Sequence, residues 1–350
     1  MRKLINNMVG FITHYPKTAK MNPNTPRSVI SPIFPAIKPL NLCSTDAEEM
    51  KEQSAMGSWS YDHKQYSRGK FQGGIFHTNT PRLQLSLTSR SSIVIRDGIP
   101  PGATVISMTV STNKPAIYRG KPLENNHAIC LKHNEEFEYL SSEPTKLLTI
   151  ACSSKLIEQK ALEETGKSFD VLRFNDQLEM KEDCFSKRVN HLLSLLHFYH
   201  YQTDGLCGEE GIFLENEVLE TILGGVLARQ DRQQDKSRYK HSLMQAKKAE
   251  HYIRANLNSN LSIYDICLAT GTTERSLHLG FKERYGVSPS AYILIMKLNE
   301  ARAELRRSGF HHSVTDIAMR WGFNHLGRFA EQYRRFFGEL PSDTIKSKNR

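Results

Sequence analysis

Cysteine is scarce in this chain and never clustered: the six residues Cys43, Cys130, Cys152, Cys184, Cys207 and Cys267 come no closer than 22 positions to one another. That excludes the close-pair spacings of zinc sites and gives no disulfide framework, so free, mostly buried thiols are expected. Long apolar runs are missing as well. Hydrophobic residues make up 39%, mean hydropathy is −0.49, and no stretch approaches the ~20 residues of a bilayer-spanning helix. Arg2 and Lys3 precede a weakly apolar stretch, but Asn6, Asn7 and Thr13 interrupt it and no small-residue cleavage site follows. No secretory signal is therefore expected, and the expected compartment is the cytoplasm. The sequence also offers no nucleophile with a recognisable base partner, no phosphate-cradling glycine loop and no convincing carboxylate pair. Neither catalysis nor a cofactor is expected.

Positive charge, by contrast, is plentiful. The 350 residues carry 47 Lys and Arg against 37 Asp and Glu, a net charge of +10, which points to a polyanionic partner. Residues 240–350 hold 18 of the basic and 10 of the acidic residues, so +8 of the +10 sits in the last third of the chain. The basic footprint belongs to one module of a chain long enough for two domains.

Prolines 16, 23, 26, 32, 35 and 39 stand among polar residues, so residues 1–50 are expected to be a poorly ordered tail. A sensor or effector domain is expected over 55–230, with strands in about 60–152 and helices in about 153–230. Its strand candidates are short runs of β-branched content: Leu83 to Leu87, Ser92 to Ile95, Thr104 to Val110, His127 to Leu131 and Lys146 to Cys152. Turn signals at Gly73-Gly74, Asp97-Gly98, Pro100-Pro101-Gly102 and Arg119-Gly120 separate them, a spacing that predicts a small barrel or sandwich. Helices are expected near 154–165, 179–201 and 212–230. A polar linker over 231–240 then leads to a second domain over 241–345.

That second domain nearly repeats itself. Tyr264-Asp-Ile-Cys-Leu-Ala-Thr-Gly271 is followed by Leu277, Phe281, Tyr285-Gly286 and Pro289; Thr315-Asp-Ile-Ala-Met-Arg-Trp-Gly322 is followed by Phe329, Tyr333, Phe337-Gly338 and Pro341. The offset is 51 residues up to the glycine and 52 after it, one insertion in the turn. Each copy reads as a helix-turn-helix. Ser262 is a plausible N-cap with Asp265 in the first turn. Gly271 and Gly322 supply the freedom a tight turn needs. Thr273 caps a second helix with Leu277, Phe281 and Tyr285 inward and Glu274, Arg275, His278 and Lys282 outward. In the second copy Asn324 is the expected cap, with Phe329, Tyr333 and Phe337 inward and Arg328, Gln332 and Arg335 outward. A long helix over Ser290 to Arg307 would hold the two units at a fixed separation. A helical bundle used only for protein contacts is the alternative.

The string Asp316-Ile-Ala-Met-Arg-Trp-Gly-Phe323, with Phe329 and Tyr333-Arg-Arg-Phe-Phe-Gly-Glu-Leu-Pro341, resembles the signature of AraC/XylS-type regulators over about residues 243–345. Leu298-Asn299, Arg302, Glu304, Leu305 and Trp321-Gly-Phe-Asn-His-Leu-Gly327 look closest to the branch containing the ethanolamine-operon regulator. The resemblance implies a cytoplasmic regulator, commonly an activator, of α+β class. Its N-terminal sensor would be a small β-barrel, cupin-like, with a helical connector; its all-α C-terminal domain would hold two helix-turn-helix units joined by a long linker helix. It also implies base reading by Arg275, His278 and Leu279 of the first recognition helix and, more permissively, by Leu326, Arg328 and Glu331 of the second. Cys267 stands where many members have alanine, and His325 where many have a serine cap.

Arg275 could also be a simple salt-bridging residue. Lys282, Lys297, Arg334 and Arg335 suit phosphates, which position a protein without selecting sequence. Trp321 is expected to pack into the second unit's core. His127, His133, Glu135 and Glu136 invite a metal, but the paired His-x-His spacing is missing and none is expected. Arg119 with Tyr118 and Lys121 suits an acidic ligand or is only a basic turn. The partners expected are double-stranded DNA, RNA polymerase, a small-molecule or protein effector at the N-terminal domain and a second copy of the chain, with no membrane. Two other readings stay open: a barrel enzyme acting on a metabolite and localised by the basic module, and a nucleoid-type protein that binds DNA without choosing sequence.

Overall fold

In the computed structural model the described residues are 33–34, 41–55, 59, 62–91, 93–96, 102–111, 114–124, 126–133, 135, 137–141, 143–172, 177–180, 182–201, 206, 208–226, 237–259, 261–308 and 312–347. The turn signals at 97–101, Glu136, Cys207, most of the expected tail and linker residues 231–236 lie outside them.

Short apolar or alternating runs form the centre of the larger sheet, as their length and patterning predict. Its strands are β1 (Asn41–Ser44), β3 (Gly73–Asn79), β4 (Leu83–Arg90), β6 (Ala103–Ser111), β9 (His127–Lys132), β11 (Thr145–Ser153) and β12 (Gln177–Glu179), in the order β1-β3-β4-β11-β6-β9-β12 and antiparallel throughout. A second sheet has the order β2-β5-β10-β7-β8, from β2 (Asp62–Gln65), β5 (Ile93–Arg96), β7 (Ile117–Tyr118), β8 (Lys121–Pro122) and β10 (Glu138–Ser141). Both are open, so the expectation of a closed barrel is corrected: run length and alternation specify strands but say nothing about whether the first strand meets the last. The sheets share one core, in which Ile75, Val105, Ile129, Leu131, Leu147 and Ala151 of the larger meet Tyr118 and Tyr139 of the smaller. Arg119 and Gly120 turn the β7–β8 hairpin with φ of 48° and 77°, whereas Gly73-Gly74, expected as a turn, begins β3.

The tail expectation fails beyond residue 40. Besides β1, a helix α1 (Ala47–Ala55) is formed, and Phe34, Ala47 and Met50 enter the shared core. Those few apolar anchors, Phe34 among them within the proline-rich stretch itself, outweigh its composition. Helices α2 (Ser154–Thr165), α3 (Phe169–Leu172), α4 (Glu182–His200) and α5 (Gly208–Leu223) follow. Of these, α2, α4 and α5 cover the outer face of the larger sheet, where Arg82 and Thr80 bond Glu215 of α5 and the His200 ring lies 3.7 Å from Phe76.

The remaining helices are α6 (Ser237–Ala255), α7 (Ile263–Thr270), α8 (Glu274–Tyr285), α9 (Pro289–Ser308), α10 (Val314–Arg320), α11 (Leu326–Phe337) and α12 (Pro341–Ser347). Residues 32–350 cluster as one compact unit, and the sheets meet these helices through buried charge. Asp46, between β1 and α1, lies 2.8 Å from Arg302 of α9 and also bonds Arg306; Arg302 reaches Glu339 at 2.8 Å and lies 4.6 Å from the Phe337 ring centre. Burial alone would raise the Asp46 carboxyl, but the two guanidiniums outweigh it and hold it below the ordinary carboxylate value. Among the described residues no helix is long and apolar enough to cross a membrane.

A carboxyl held low in the folded state stabilises fully above its unfolded pKa, near ~4, and that contribution is lost as pH falls through the lower folded value. Asp46→Asn is expected to cost about 1–3 kcal/mol at neutral pH and to flatten the acid decline of stability. Urea unfolding of both proteins from neutral to about pH 3 checks this; parallel curves would show that Asp46 carries none of the linkage.

Candidate nucleic-acid interface

Two helix pairs stand on the long helix α9. In the first, Ser262 caps α7 in a reciprocal box: its hydroxyl accepts from the Asp265 N–H at 3.1 Å, while the Asp265 carboxylate accepts from the Ser262 N–H at 3.1 Å. The Ser262 hydroxyl also donates to the Asp265 carboxylate at 2.6 Å, and this bond, with the one from the Ser262 N–H, keeps the Asp265 carboxyl below its ordinary value. Gly271, with φ 64°, ends α7 in the left-handed region that favours glycine, and Thr273 caps α8 by accepting from the Ser276 N–H at 3.2 Å. The second pair repeats the plan. Ser313 and Asp316 form the same box at the start of α10, a cap that the Ser-x-x-Asp spacing carried but the sequence reading passed over. Gly322 has φ 78°.

The single inserted residue falls after that glycine, and its effect is visible. Asn324, the expected cap, is displaced: His325 is the cap of α11, and its side chain makes no capping bond. An imidazole on this extended backbone (φ −117°, ψ 96°) does not do what a short hydroxyl does at Thr273.

Inward faces follow the predicted four-residue ladder. Leu277, Phe281 and Tyr285 are buried in α8, and Phe329, Tyr333 and Phe337 in α11. The ring centroids of Phe281 and Tyr285 lie 4.9 Å apart and those of Tyr333 and Phe337 4.7 Å, with Tyr292 of α9 4.8 Å from Tyr285. Trp321 packs against this core as expected, and its indole N–H donates to Glu304 of α9 at 2.7 Å; Arg320 bonds the same carboxylate. Both pairs are thereby fixed to one rod.

Outward, the burial pattern separates the expected readers from the core. Arg275, His278 and Leu279 are exposed on α8, and Leu326, Arg328 and Glu331 on α11; Leu279 is 55% exposed, high for an apolar side chain with no role inside. His278 lies 3.9 Å from Glu274. Among the phosphate candidates, Lys282, Arg334 and Arg335 are exposed, although the Lys282 ammonium also reaches the Gly286 carbonyl at 3.3 Å. Lys297 is half-buried, donates to the Ser259 carbonyl at 3.1 Å, and burial pushes its ammonium below the ordinary lysine value. It stands apart from the exposed set. Arg284, between those rows, points the other way: it is buried on α8 and pairs with Glu138 of β10 at 3.2 Å.

In the N-terminal region His77, Ser86, Thr149 and Ser107 form one register row across β3, β4, β11 and β6. Ser107 and Thr149 hydroxyls lie 3.0 Å apart. Burial, with His200 nearby, lowers the His77 imidazole to about 4, and its Nε2 has no hydrogen-bond partner among the described residues. Sequence reading missed this row, because isolated polar residues in strands carry no periodic signal. His127 and His133 do not join a cluster: among the described residues no group of three or more His, Cys, Asp or Glu is arranged to hold a metal.

Replacing His325 with serine is expected to stabilise the protein by about 0.5–1 kcal/mol by giving α11 the cap that Thr273 gives α8. Thermal unfolding of His325→Ser reads this, and an unchanged midpoint would mean that the turn cannot seat a cap.

Residues 266–347 match a protein-family model described as a helix-turn-helix domain. The XylDLEGF operon transcriptional activator of Pseudomonas putida is 43% identical over 96 residues, covering 27% of this chain and 30% of that protein. The probable thc operon regulatory protein of Rhodococcus erythropolis is 35% identical over 100 residues, 28% of this chain and 30% of its own length. The chain thus spans less than a third of the length of either relative. A crystal structure of a probable AraC family transcriptional regulator from Rhodopseudomonas palustris is 32% identical, with 30% of this chain and 97% of that one covered and a TM-score of 0.29. The two relatives are described as an operon transcriptional activator and a probable operon regulatory protein. Over residues 266–347 this chain is thus similar to helix-turn-helix domains, and its two relatives are similar to it over about 100 residues.

Proposed function

We propose that this protein is a sequence-specific DNA-binding transcription regulator, an activator, in which residues 55–230 sense a signal and residues 241–345 read DNA through two helix-turn-helix units. The observation that carries this reading is the pair of capped glycine turns, each presenting an exposed polar helix face from a buried aromatic ladder on the shared rod α9. Helices α8 and α11 would enter successive major-groove segments, about one turn or ~34 Å apart, letting one chain read a site that otherwise needs two. Arg275, His278 and Leu279 lie within one helix face and would meet base edges; Leu326, Arg328 and Glu331 would do so from α11. Lys282, Arg334 and Arg335 would meet phosphates. RNA polymerase is the partner that activation requires. The kinship of Trp321 to Gly327 with the ethanolamine-operon regulators belongs to this proposal as a branch within the family. The effector would lie between the two sheets, where the open imidazole nitrogen of His77 and its row of hydroxyls favour a molecule with both a hydrogen-bonding edge and an apolar body. Fold alone does not fix its identity.

Two substitutions separate base reading from phosphate contact. Arg275→Ala is expected to weaken binding to the cognate duplex by about tenfold to a hundredfold, with little change on random duplex. Lys282→Ala is expected to weaken both alike and to reduce the salt slope by about one. Titrations of full-length protein on both duplexes over a range of salt decide it; an equal loss for Arg275→Ala on the two would remove Arg275 from the reading set.

A further inference from the structure

The edge strand β2 runs on to Gly69 across the ends of the C-terminal helices. Lys64 lies 2.8 Å from Glu300 of α9. The Gln65 N–H donates to the side-chain oxygen of Asn299 at 2.9 Å, and its carbonyl accepts from the Asn299 amide at 2.9 Å. The Tyr66 hydroxyl donates to the carbonyl of Tyr285, the last residue of α8, at 2.7 Å. The Gly69 N–H donates to the carbonyl of Phe336, in the last turn of α11, at 2.8 Å. Gln65 holds the shape of this segment by donating its own side-chain amide to the carbonyls of Ser67 at 2.8 Å and Gly69 at 2.7 Å.

The last carbonyls of a helix have no partner within it. Here one short segment supplies donors to the ends of both proposed recognition helices and a reciprocal pair to the helix between them. Contact at α11 is close. A Cβ at Gly338 would come within 3.1 Å of Lys70 Cγ, and the residue's φ of 76° already favours glycine. Tyr66 and Leu140 also enter the same apolar cluster as both helix pairs. None of this covers the reading faces, since Arg275, His278, Leu279, Leu326, Arg328 and Glu331 all stay exposed. An inhibitory contact would bury some of them, so the segment acts on where the helices stand and leaves their faces open.

We propose that Lys64–Gly69 is a positioning brace: by holding the ends of α8 and α11 and the middle of α9, it sets the spacing at which the two helices meet DNA. The N-terminal region would then determine half-site spacing, and a change in the smaller sheet would reach the DNA through its edge strand. This rests on the DNA-reading assignment made above.

The test carries full-length wild type, Tyr66→Phe and Asn299→Leu through selection from a library of random-sequence duplexes. Wild type is expected to recover two half-sites at one spacing. Both variants should recover the same half-sites with the spacing spread over neighbouring values. On the wild-type duplex they should bind about fivefold more weakly, and on a duplex with one half-site they should bind as wild type does. Tyr66→Phe removes only a hydroxyl, and the full-site to half-site ratio is measured within one preparation, so a loss of folded protein does not move it. Variants that keep both the single spacing and the full-site affinity would overturn the brace. Half-sites without fixed spacing in wild type would overturn it too while leaving DNA reading intact. A wild type that recovers no motif would remove the regulator reading, and the brace with it.

Discussion

A buried carboxamide needs a donor and an acceptor side by side, and Asn299 finds both in the backbone of one residue, Gln65. Few side chains could stand in for it. A carboxylate would set oxygen against oxygen, and an apolar group would leave a strand N–H and carbonyl unmet. That pair fixes the smaller sheet against α9, and α9 fixes the rest of the C-terminal half: Tyr292 takes up the aromatic ladder of the first helix pair, and Glu304 holds the second through Trp321 and Arg320. Rigidity in such an arrangement comes from a few directional bonds placed at the junctions of helices already held by burial.

Helices and central strands were legible in the sequence for a common reason. Leu277, Phe281 and Tyr285 recur every four residues and reappear as Phe329, Tyr333 and Phe337, and β4, β6, β9 and β11 are short apolar or alternating runs; in each the residues that specify the element also bury it. The base-reading candidates were legible as the remainder, the positions that the ladders leave outside. Strand β2, reading Asp-His-Lys-Gln, was not. Its place depends on backbone pairing with β5 and on Asn299, and no period in its side chains announces either. Contacts between the halves were equally silent, since Asp46 and Arg302 lie 256 positions apart and nothing local in either marks the other. Closure of the sheets was misjudged because strand runs record their own length and not their neighbours. The displaced cap at His325 shows a smaller limit: one inserted residue was read correctly, yet its consequence for which side chain begins α11 depends on the path of the turn.

Charge told a partial truth. By composition the excess of Lys and Arg over 240–350 is a single footprint, but the structure divides it. Arg275, Lys282, Arg328, Arg334 and Arg335 face solvent, whereas Arg284, Arg302 and Arg306 turn inward to Glu138 and Asp46. Basic residues within one turn of the same helix, on opposite faces, thus serve opposite ends: Lys282 is available to a polyanion, and Arg284, two positions on, is committed to the protein itself.

The pair Arg284–Glu138 has a consequence for how such chains diversify. A gene fusion joining this C-terminal half to a foreign sensor would bring Arg284 and Asn299 without the carboxylate and the strand that answer them, leaving a buried cation and a buried amide unmatched. The seam is a fitted joint, and drift on one side is tolerated only as far as the other side follows.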